Sequence, residues 1–182
     1  MKQSSFGARE MALAAMFGAL TYLGSLLVIP IGPVPITLQT LFVEVAAILL
    51  LPKTAGLAML VHLLLKFITQ GGSLLISPSF GFVIGFIFAA FAGSYYFNTL
   101  KGGRLSDKKS LLTAIIIAAL LPYLVGLPYM AYILNGVNGL GKSFMDLMKA
   151  GFLLFIPGDI AKVILAYFLS LVLLPAVQKS RR

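Results

Sequence analysis

The sequence contains 182 residues, of which 60% are hydrophobic and only 10% are charged, and its formal net charge is +9. A soluble domain carries about 25% charged residues, so this composition argues against a soluble protein. The absence of cysteine excludes disulfides, thiolate catalysis and cysteine-bound metal. Six membrane spans of about 20 residues each fill about 120 positions and leave only short connections. We therefore expect residues 1–182 to form a single membrane domain.

Apolar runs separated by charges, proline or glycine predict an all-α integral membrane protein with six transmembrane helices. The predicted spans cover residues 8–29, 38–52, 54–69, 80–97, 111–134 and 157–177. The proline-rich residues 30–35 and the segment GGSLLISPS (71–79) interrupt this pattern and predict short capping loops on the outer side. Pro122 and Pro128 predict kinks in the fifth span. A short amphipathic segment at 143–155 precedes Pro157, which favours the first turn of the sixth span.

Basic residues are concentrated in alternate connections between the predicted spans. Ten of the fourteen basic residues lie at positions 2, 9, 53, 101–109 and 179–182, whereas residues 30–37 and 70–79 carry no charge. Because cytoplasmic loops are enriched in Lys and Arg, we predict that both termini are cytoplasmic and that the chain crosses the cell membrane several times. The basic excess then marks topology and contact with anionic lipid of the bilayer. The sequence lacks the basic stripe with interleaved aromatic residues that would indicate nucleic-acid binding.

The sequence also contains one match to a nucleotide-binding motif. Residues 136–143 read GVNGLGKS and fit the phosphate-binding pattern G-x-x-x-x-G-K-[ST]. That loop requires a preceding buried strand and an acidic partner for magnesium, whereas this segment follows a membrane span on the predicted outer side. We interpret it as a glycine-rich turn. The single histidine has no nucleophile at a suitable spacing, so we expect no enzyme, no catalytic residue, no metal and no cofactor.

Ionisable side chains at membrane depth are costly and indicate function. Asp159 and Lys162 are three residues apart in the predicted first turn of the sixth span, so they project from one face near the outer surface. They either bind a ligand or form an ion pair that fixes the start of the helix. His62 and Lys66 could together form a proton relay. Alternatively, His62 makes a hydrogen bond between helices and the Lys66 side chain extends to the membrane interface. Glu44 is expected to bond within the bundle, and the alternative is that it binds a ligand.

The two uncharged outer segments predict a pocket, because irregular backbone at membrane depth survives only where it is covered by protein or lines a cavity. A mostly apolar pocket with a few convergent polar groups is typical of a small-ligand site. Besides Asp159 and Lys162, the predicted ligand-binding residues are Gln39, Ser73, Ser79, Phe80 and Tyr123. The alternative is a purely structural cap over the bundle.

Small residues form stripes on two of the predicted helices. The first span carries Ala8, Ala12, Ala15 and Ala19, and the fourth carries Gly81, Gly85 and Ala89. Such stripes allow another helix to approach closely, where van der Waals contact drives association in lipid. Each stripe therefore fits either packing inside the bundle or contact with a partner subunit.

Three segments together resemble the BioY family, the biotin-binding S-components of energy-coupling factor (ECF) transporters. They are GPVPITLQTL (32–41), GG…SPSFGFVIGF (71–86) and FIPGDIAKVILA (155–166), in this order and spacing. The resemblance implies a six-helix membrane subunit with a vitamin site near the outer surface. Asp159 and Lys162 would then contact the head and the tail of biotin, and the resemblance does not say which residue contacts which part.

The same resemblance implies partner subunits. These are an ECF coupling transmembrane subunit and two ATP-hydrolysing ABC subunits, which would reorient the bundle and release biotin inside the cell. The stripe that docks onto the coupling subunit in this family maps best onto Ala15 and Ala19, with Ala8 and Ala12 extending it.

The chain departs from the family pattern in the loop before the fourth span. Family members typically have a longer glycine-rich loop, often with an arginine, followed by P-T-G-G-Y. Here the loop is shortened after Gly72 and residues 78–82 read PSFGF, so a possible partner of the ligand carboxylate is missing. A related acid such as lipoate is therefore an alternative ligand. The alternative function is a proton-coupled secondary transporter that acts alone through His62, Lys66 or Glu44.

Overall fold

The computed structural model describes residues 7–180, which form seven α-helices and one short β-hairpin. The helices are α1 (Ala8–Gly24), α2 (Gln39–Leu49), α3 (Pro52–Gln70), α4 (Phe80–Ser94), α5 (Lys108–Ala131), α6 (Phe144–Gly151) and α7 (Ile156–Lys179). The hairpin pairs β1 (Val28–Ile29) with β2 (Ile36–Thr37) in antiparallel fashion, with Val28 opposite Thr37. Short segments of 3-10 or π-helix adjoin these helices at Gly71–Ile76, Tyr95–Leu100, Tyr132–Val137 and Leu153–Phe155.

Four helical segments within residues 7–180 are long and apolar enough to cross a membrane. They are Pro52–Ile76, Phe80–Leu100, Lys108–Val137 and Phe144–Lys179. Helix α1 has 17 residues and spans about 26 Å, and α2 has 11 residues and spans about 17 Å. The hydrocarbon core of a bilayer is ~30 Å thick. A mostly helical membrane fold is therefore confirmed, but six transmembrane helices are not.

Helix α2 differs from the predicted second span because it lies inside the bundle. It packs against α1, α4, α5 and α7, and nine of its eleven residues are buried. A helix that other helices enclose needs an apolar surface on all sides, whatever its length. The apolar composition of α2 is therefore the same as that of a membrane span, and the sequence alone does not distinguish the two.

Proline residues determine where two of the outer elements begin and end. Pro157 lies in the first turn of α7, which confirms the prediction made from its position. The predicted end of the first span is wrong, because α1 stops at Gly24 and residues 28–29 form a strand. The three prolines within residues 30–35 prevent the helix from continuing. Gly32, with a φ of +73°, allows the chain to turn back as a hairpin.

The segment after α5 contains no nucleotide-binding loop of the expected architecture. Helix α5 continues through Pro122 and Pro128, and the kinks expected there stay a prediction. Residues 138–143 are irregular, with positive φ angles at Gly139 and Gly141. Strands in the described part of the chain are limited to β1 and β2, so no strand precedes this segment. This arrangement agrees with a glycine-rich turn.

Hydrogen bonds at one end of the bundle join elements that lie far apart in the sequence. Arg9 Nη2 donates to Val177 O at 3.4 Å, and Gln178 Nε2 donates to Gly103 O at 2.5 Å. Asn98 Nδ2 donates to Leu50 O at 2.9 Å. We call this the basic end, because it gathers Arg9, Lys53, Lys101, Arg104, Lys108, Lys109 and Lys179. We call the opposite end, with the hairpin and the start of α7, the cavity end.

The two stripes of small residues have different surroundings. A methyl group added at Gly85 would lie 2.8 Å from Pro122 Cα, so the stripe of α4 serves close packing against α5. The stripe of α1 faces outward, whereas Ala14 and Phe17 face the bundle interior. The exposed stripe consists of Ala8, Ala12, Ala15 and Ala19.

Candidate functional site

A cavity of about 260 Å³ lies at the cavity end, between α2, α3, α4, α5, α7 and the hairpin. Its apolar wall is formed by Val34, Pro35, Phe82, Val83, Phe86 and Phe155. Its polar wall is formed by Ser25, Thr37, Gln39, Thr40, Lys66, Gln70, Ser77, Ser79, Tyr123, Asp159 and Lys162. The combination of aromatic surface with convergent polar groups is typical of a site for a small polar ligand.

Asp159 and Lys162 form an ion pair within the cavity wall. Lys162 Nζ lies 2.7 Å from Asp159 Oδ1, and the two side chains are only 8% and 16% exposed, respectively. The sequence prediction that both side chains share one face of the helix is confirmed. Asp159 lies in the first turn of α7, where the positive end of the helix dipole favours a carboxylate.

Further hydrogen bonds hold the ion pair in place. The hydroxyl of Tyr123 donates to Asp159 Oδ2. Lys162 Nζ donates to Thr40 Oγ1 at 2.6 Å and contacts Thr37 O at 3.5 Å. The pair thus connects α7 with α5, with α2 and with the second strand of the hairpin. A buried ion pair needs such additional bonds, because desolvation offsets much of its attraction.

Gln39 connects the cavity wall to helix α3. Its Nε2 lies 2.9 Å from His62 Nε2, and its Oε1 accepts a hydrogen bond from Thr37 Oγ1 at 2.9 Å. His62 is fully buried and does not line the cavity. Its other ring nitrogen, Nδ1, has no hydrogen-bond partner among residues 7–180. This geometry agrees with the interpretation of His62 as an interhelical hydrogen-bonding residue.

Lys66 and Gln70 line the cavity, although sequence reasoning did not include them in the ligand site. Lys66 is only 9% exposed, so its side chain does not extend to the surface of the bundle. The signal in the sequence is the spacing of His62, Lys66 and Gln70, which places the three side chains on one face of α3. Because His62 contacts Gln39, that face points toward the cavity.

Two predicted ligand-binding residues lie outside the cavity wall. Ser73 is exposed on the 3-10 segment after α3 and donates to Gln70 O at 2.6 Å. Phe80 is the first residue of α4, and its ring packs between those of Phe67 and Tyr129, with centroids 5.9 and 5.5 Å away. The other five predicted residues, Gln39, Ser79, Tyr123, Asp159 and Lys162, line the cavity. Ligand contact by all seven residues stays a prediction.

Glu44 does not make the bond that the sequence predicts. It is fully buried on α2, yet neither carboxyl oxygen has a hydrogen-bond partner among the described residues. It does not line the cavity either. The prediction is wrong, because the helices packed around α2 bring no donor within hydrogen-bond distance of this carboxyl group among the described residues.

Comparison with known proteins gives a consistent assignment. The model of the BioY family matches residues 1–179. A "Probable biotin transporter BioY" of Lysinibacillus sphaericus is 31% identical over 168 residues, which cover 88% of this chain and 84% of that protein. A "Biotin transporter BioY" of Rhizobium etli is 35% identical over 178 residues, with coverage of 88% and 90%.

A solved structure shares the fold. The crystal structure of the S-component for biotin from an ECF-type ABC transporter superposes with a TM-score of 0.75 at 25% sequence identity, and the match covers 91% of this chain and 90% of that chain. These relatives are transporters, which confirms the expectation of a multi-pass membrane transport protein rather than an enzyme. The order of the three segments named in the sequence analysis, the helical membrane fold and the family match agree, and the chain belongs to the BioY family.

Proposed function

We propose that this chain is the biotin-binding S-component of an ECF-type vitamin importer. The observation that carries the proposal is the Asp159–Lys162 ion pair in the wall of a cavity that combines aromatic and polar side chains. The matched relatives named as biotin transporters and the matched S-component for biotin support the same ligand.

The chemistry of the cavity wall complements that of biotin. The head of biotin is a cyclic urea, in which N–H donors stand next to a carbonyl acceptor. Asp159 accepts hydrogen bonds, and Lys162 Nζ lies 2.7 Å away and donates them. The pair therefore offers an acceptor and a donor side by side, as a urea requires. Phe82, Phe86 and Phe155 provide apolar surface for the sulfur-containing ring and the aliphatic chain.

The hydrogen-bonding groups of the cavity wall favour biotin over lipoate. The cavity of about 260 Å³ is small, and its size alone does not distinguish the two acids. The ring of lipoate carries no N–H donor, so Asp159 would gain no hydrogen bond from it. Covering the Asp159 carboxylate with a ligand that makes no hydrogen bond to it removes water from the charge, and this desolvation opposes binding. Lipoate is therefore the second candidate and should bind more weakly.

We further propose that the cavity end faces outward and the basic end faces the cytoplasm, in line with the positive-inside rule. The bundle would capture biotin from outside and release it inside when ATP-hydrolysing partner subunits reorient it. The exposed alanine stripe supports a docking face on α1, because none of the described helices covers it. The proton-coupled alternative is weaker, since His62 Nε2 is engaged by Gln39.

Calorimetric titration of the purified protein with biotin and with lipoate tests the proposal. We expect tight binding of biotin and weaker binding of lipoate. Asp159→Asn should weaken biotin binding by about 1.5–3 kcal/mol, because a charge-assisted hydrogen bond is lost. Asp146→Asn is the matched control, since Asp146 is exposed and does not line the cavity.

The outcomes separate the alternatives. No heat of biotin binding at micromolar ligand would contradict the proposed function. Equal binding of biotin and lipoate would show that Asp159 does not recognise the urea. Uptake of biotin by this chain alone in liposomes, driven by a pH gradient without ATP, would favour the secondary transporter.

A further inference from the structure

We propose that Lys66 binds the carboxylate of biotin, an inference that rests on the proposed function. Lys66 lies on α3, with Gln70 one helical turn further along the same face. Both side chains line the cavity, and Lys66 is 9% exposed. The ammonium of Lys66 and the side-chain amide of Gln70 can both donate hydrogen bonds to a carboxylate.

The ammonium of Lys66 has no partner in the part of the chain that the structure describes. Among residues 7–180 its Nζ forms no ion pair and no hydrogen bond, whereas Lys162 Nζ contacts Asp159, Thr40 and Thr37. A cation that is taken out of water without a counter-ion is costly. Lys66 therefore gains more than Lys162 from an anionic ligand.

The charges of the cavity wall point to a ligand with a single negative charge. The acidic and basic side chains that line the cavity wall are Lys66, Asp159 and Lys162. Asp159 and Lys162 neutralise each other at 2.7 Å, so Lys66 remains as one uncompensated cation. Biotin carries one carboxylate, and its binding would make the cavity electrically neutral.

The position of Lys66 also matches the shape of biotin. Helix α3 packs mainly against α1 and α4, whereas α7 packs against α2 and α5. Lys66 and the Asp159–Lys162 pair therefore reach the cavity from different walls. In biotin the urea and the carboxylate are separated by an aliphatic chain, so the ion pair would hold the urea while Lys66 holds the acid. The shortened loop after Gly72 supplies no basic residue for this role.

Two ligands that differ only in charge test this assignment. Purified protein is titrated with biotin and with biotin primary amide, which keeps the urea and lacks the negative charge. Lys66→Met should weaken biotin binding about 10- to 150-fold, the range for one charge-assisted hydrogen bond. The same substitution should leave amide binding within about twofold, and retained amide binding also shows that the variant is folded. Lys66→Arg should restore part of the affinity for biotin.

Two further variants complete the experiment. Lys149→Met is the matched control, because Lys149 is exposed and does not line the cavity, and it should bind both ligands like the wild type. Lys162→Met should lower the affinity for both biotin and its amide, because we assign Lys162 to the urea that the two ligands share.

The possible results are distinct. Unchanged biotin binding by Lys66→Met, or an equal loss for biotin and its amide, would overturn the assignment of Lys66 and leave the proposed function standing. Failure of the wild-type protein to bind either ligand would overturn the proposed function itself, and this assignment with it.

Discussion

The basic end and the cavity end of the bundle differ in how their polar side chains are used. At the basic end, Ser94 Oγ and Asn98 Nδ2 donate to Leu50 O at 2.6 and 2.9 Å, and Gln178 donates to Gly103 O. These bonds satisfy main-chain carbonyls at the end of α2 and in the turn before α5. At the cavity end, polar side chains bond to each other around an open space, and Lys66 has no described partner.

The difference separates stability from binding. Polar groups that satisfy the backbone stabilise the fold and have little capacity left for a ligand. Polar groups that surround a cavity bond to one another and also keep donors and acceptors for a ligand. Substitutions at the cavity end should therefore change both stability and binding, whereas substitutions at the basic end should change stability alone.

The largest effect is expected for Lys162→Met at the cavity end. The substitution leaves Asp159 without its counter-ion, and breaking a buried pair costs about 3–5 kcal/mol. We expect a large fall in thermal stability, measured by far-ultraviolet circular dichroism in detergent, together with loss of biotin binding. The double variant Asp159→Leu/Lys162→Met should recover stability without recovering binding. Recovery of both would show that the pair is not part of the ligand site.

A smaller effect confined to stability is expected for Asn98→Leu at the basic end. The substitution removes the bonds of Asn98 Nδ2 to Leu50 O and Ile48 O, at 2.9 and 3.3 Å. The free energy of unfolding should fall by about 1–3 kcal/mol, because carbonyls lose a donor. The affinity for biotin should stay within about twofold of the wild type. A parallel loss of affinity would contradict the separation of the two ends.

A modest gain in stability is expected for Glu44→Met, between the two ends. Its buried carboxyl group has no hydrogen-bond partner among the described residues, so an apolar side chain of similar size removes a desolvation cost. We expect the free energy of unfolding to rise by about 1 kcal/mol, measured by thermal unfolding. The control is Glu10→Met, which removes the bond that Thr54 Oγ1 donates to Glu10 at 2.5 Å and should destabilise the protein.

The smallest effect on binding is expected for the double variant Ala15→Trp/Ala19→Trp. Both alanines are exposed on α1 and lie outside the cavity wall, so biotin affinity should not change. Uptake in cells that also produce the coupling subunits should be lost, because bulky side chains prevent close helix contact. Ala14→Trp serves as a contrast, since Ala14 is buried and the substitution should disturb folding instead. Normal uptake by the double variant would remove the docking assignment.

The sequence predicted best what depends on local spacing. The start of α7 followed from Pro157, and the Asp159–Lys162 pair followed from a separation of three residues on a helix. The family followed from three segments whose order is visible without a structure. These features need no knowledge of which helices are neighbours.

Features that depend on neighbours were not predictable in the same way. Phe80 packs between α3 and α5 because those helices flank the start of α4. Lys66 faces the cavity because α1 and α4 cover the other sides of α3. Helix α2 is enclosed by other helices and is too short to span a bilayer. Composition alone does not distinguish an enclosed helix from a spanning one. Each case requires contacts between residues far apart in the chain.

The proline-rich turn of the hairpin has a consequence for the entropy of ligand capture. Residues 30–35 contain three prolines, and two of the residues in this stretch, Val34 and Pro35, form part of the cavity wall. Each proline with a compatible backbone saves about 0.4–1 kcal/mol of conformational entropy when the chain becomes ordered. A cavity wall built in this way loses little freedom when a ligand contacts it, so more of the contact energy is retained as affinity.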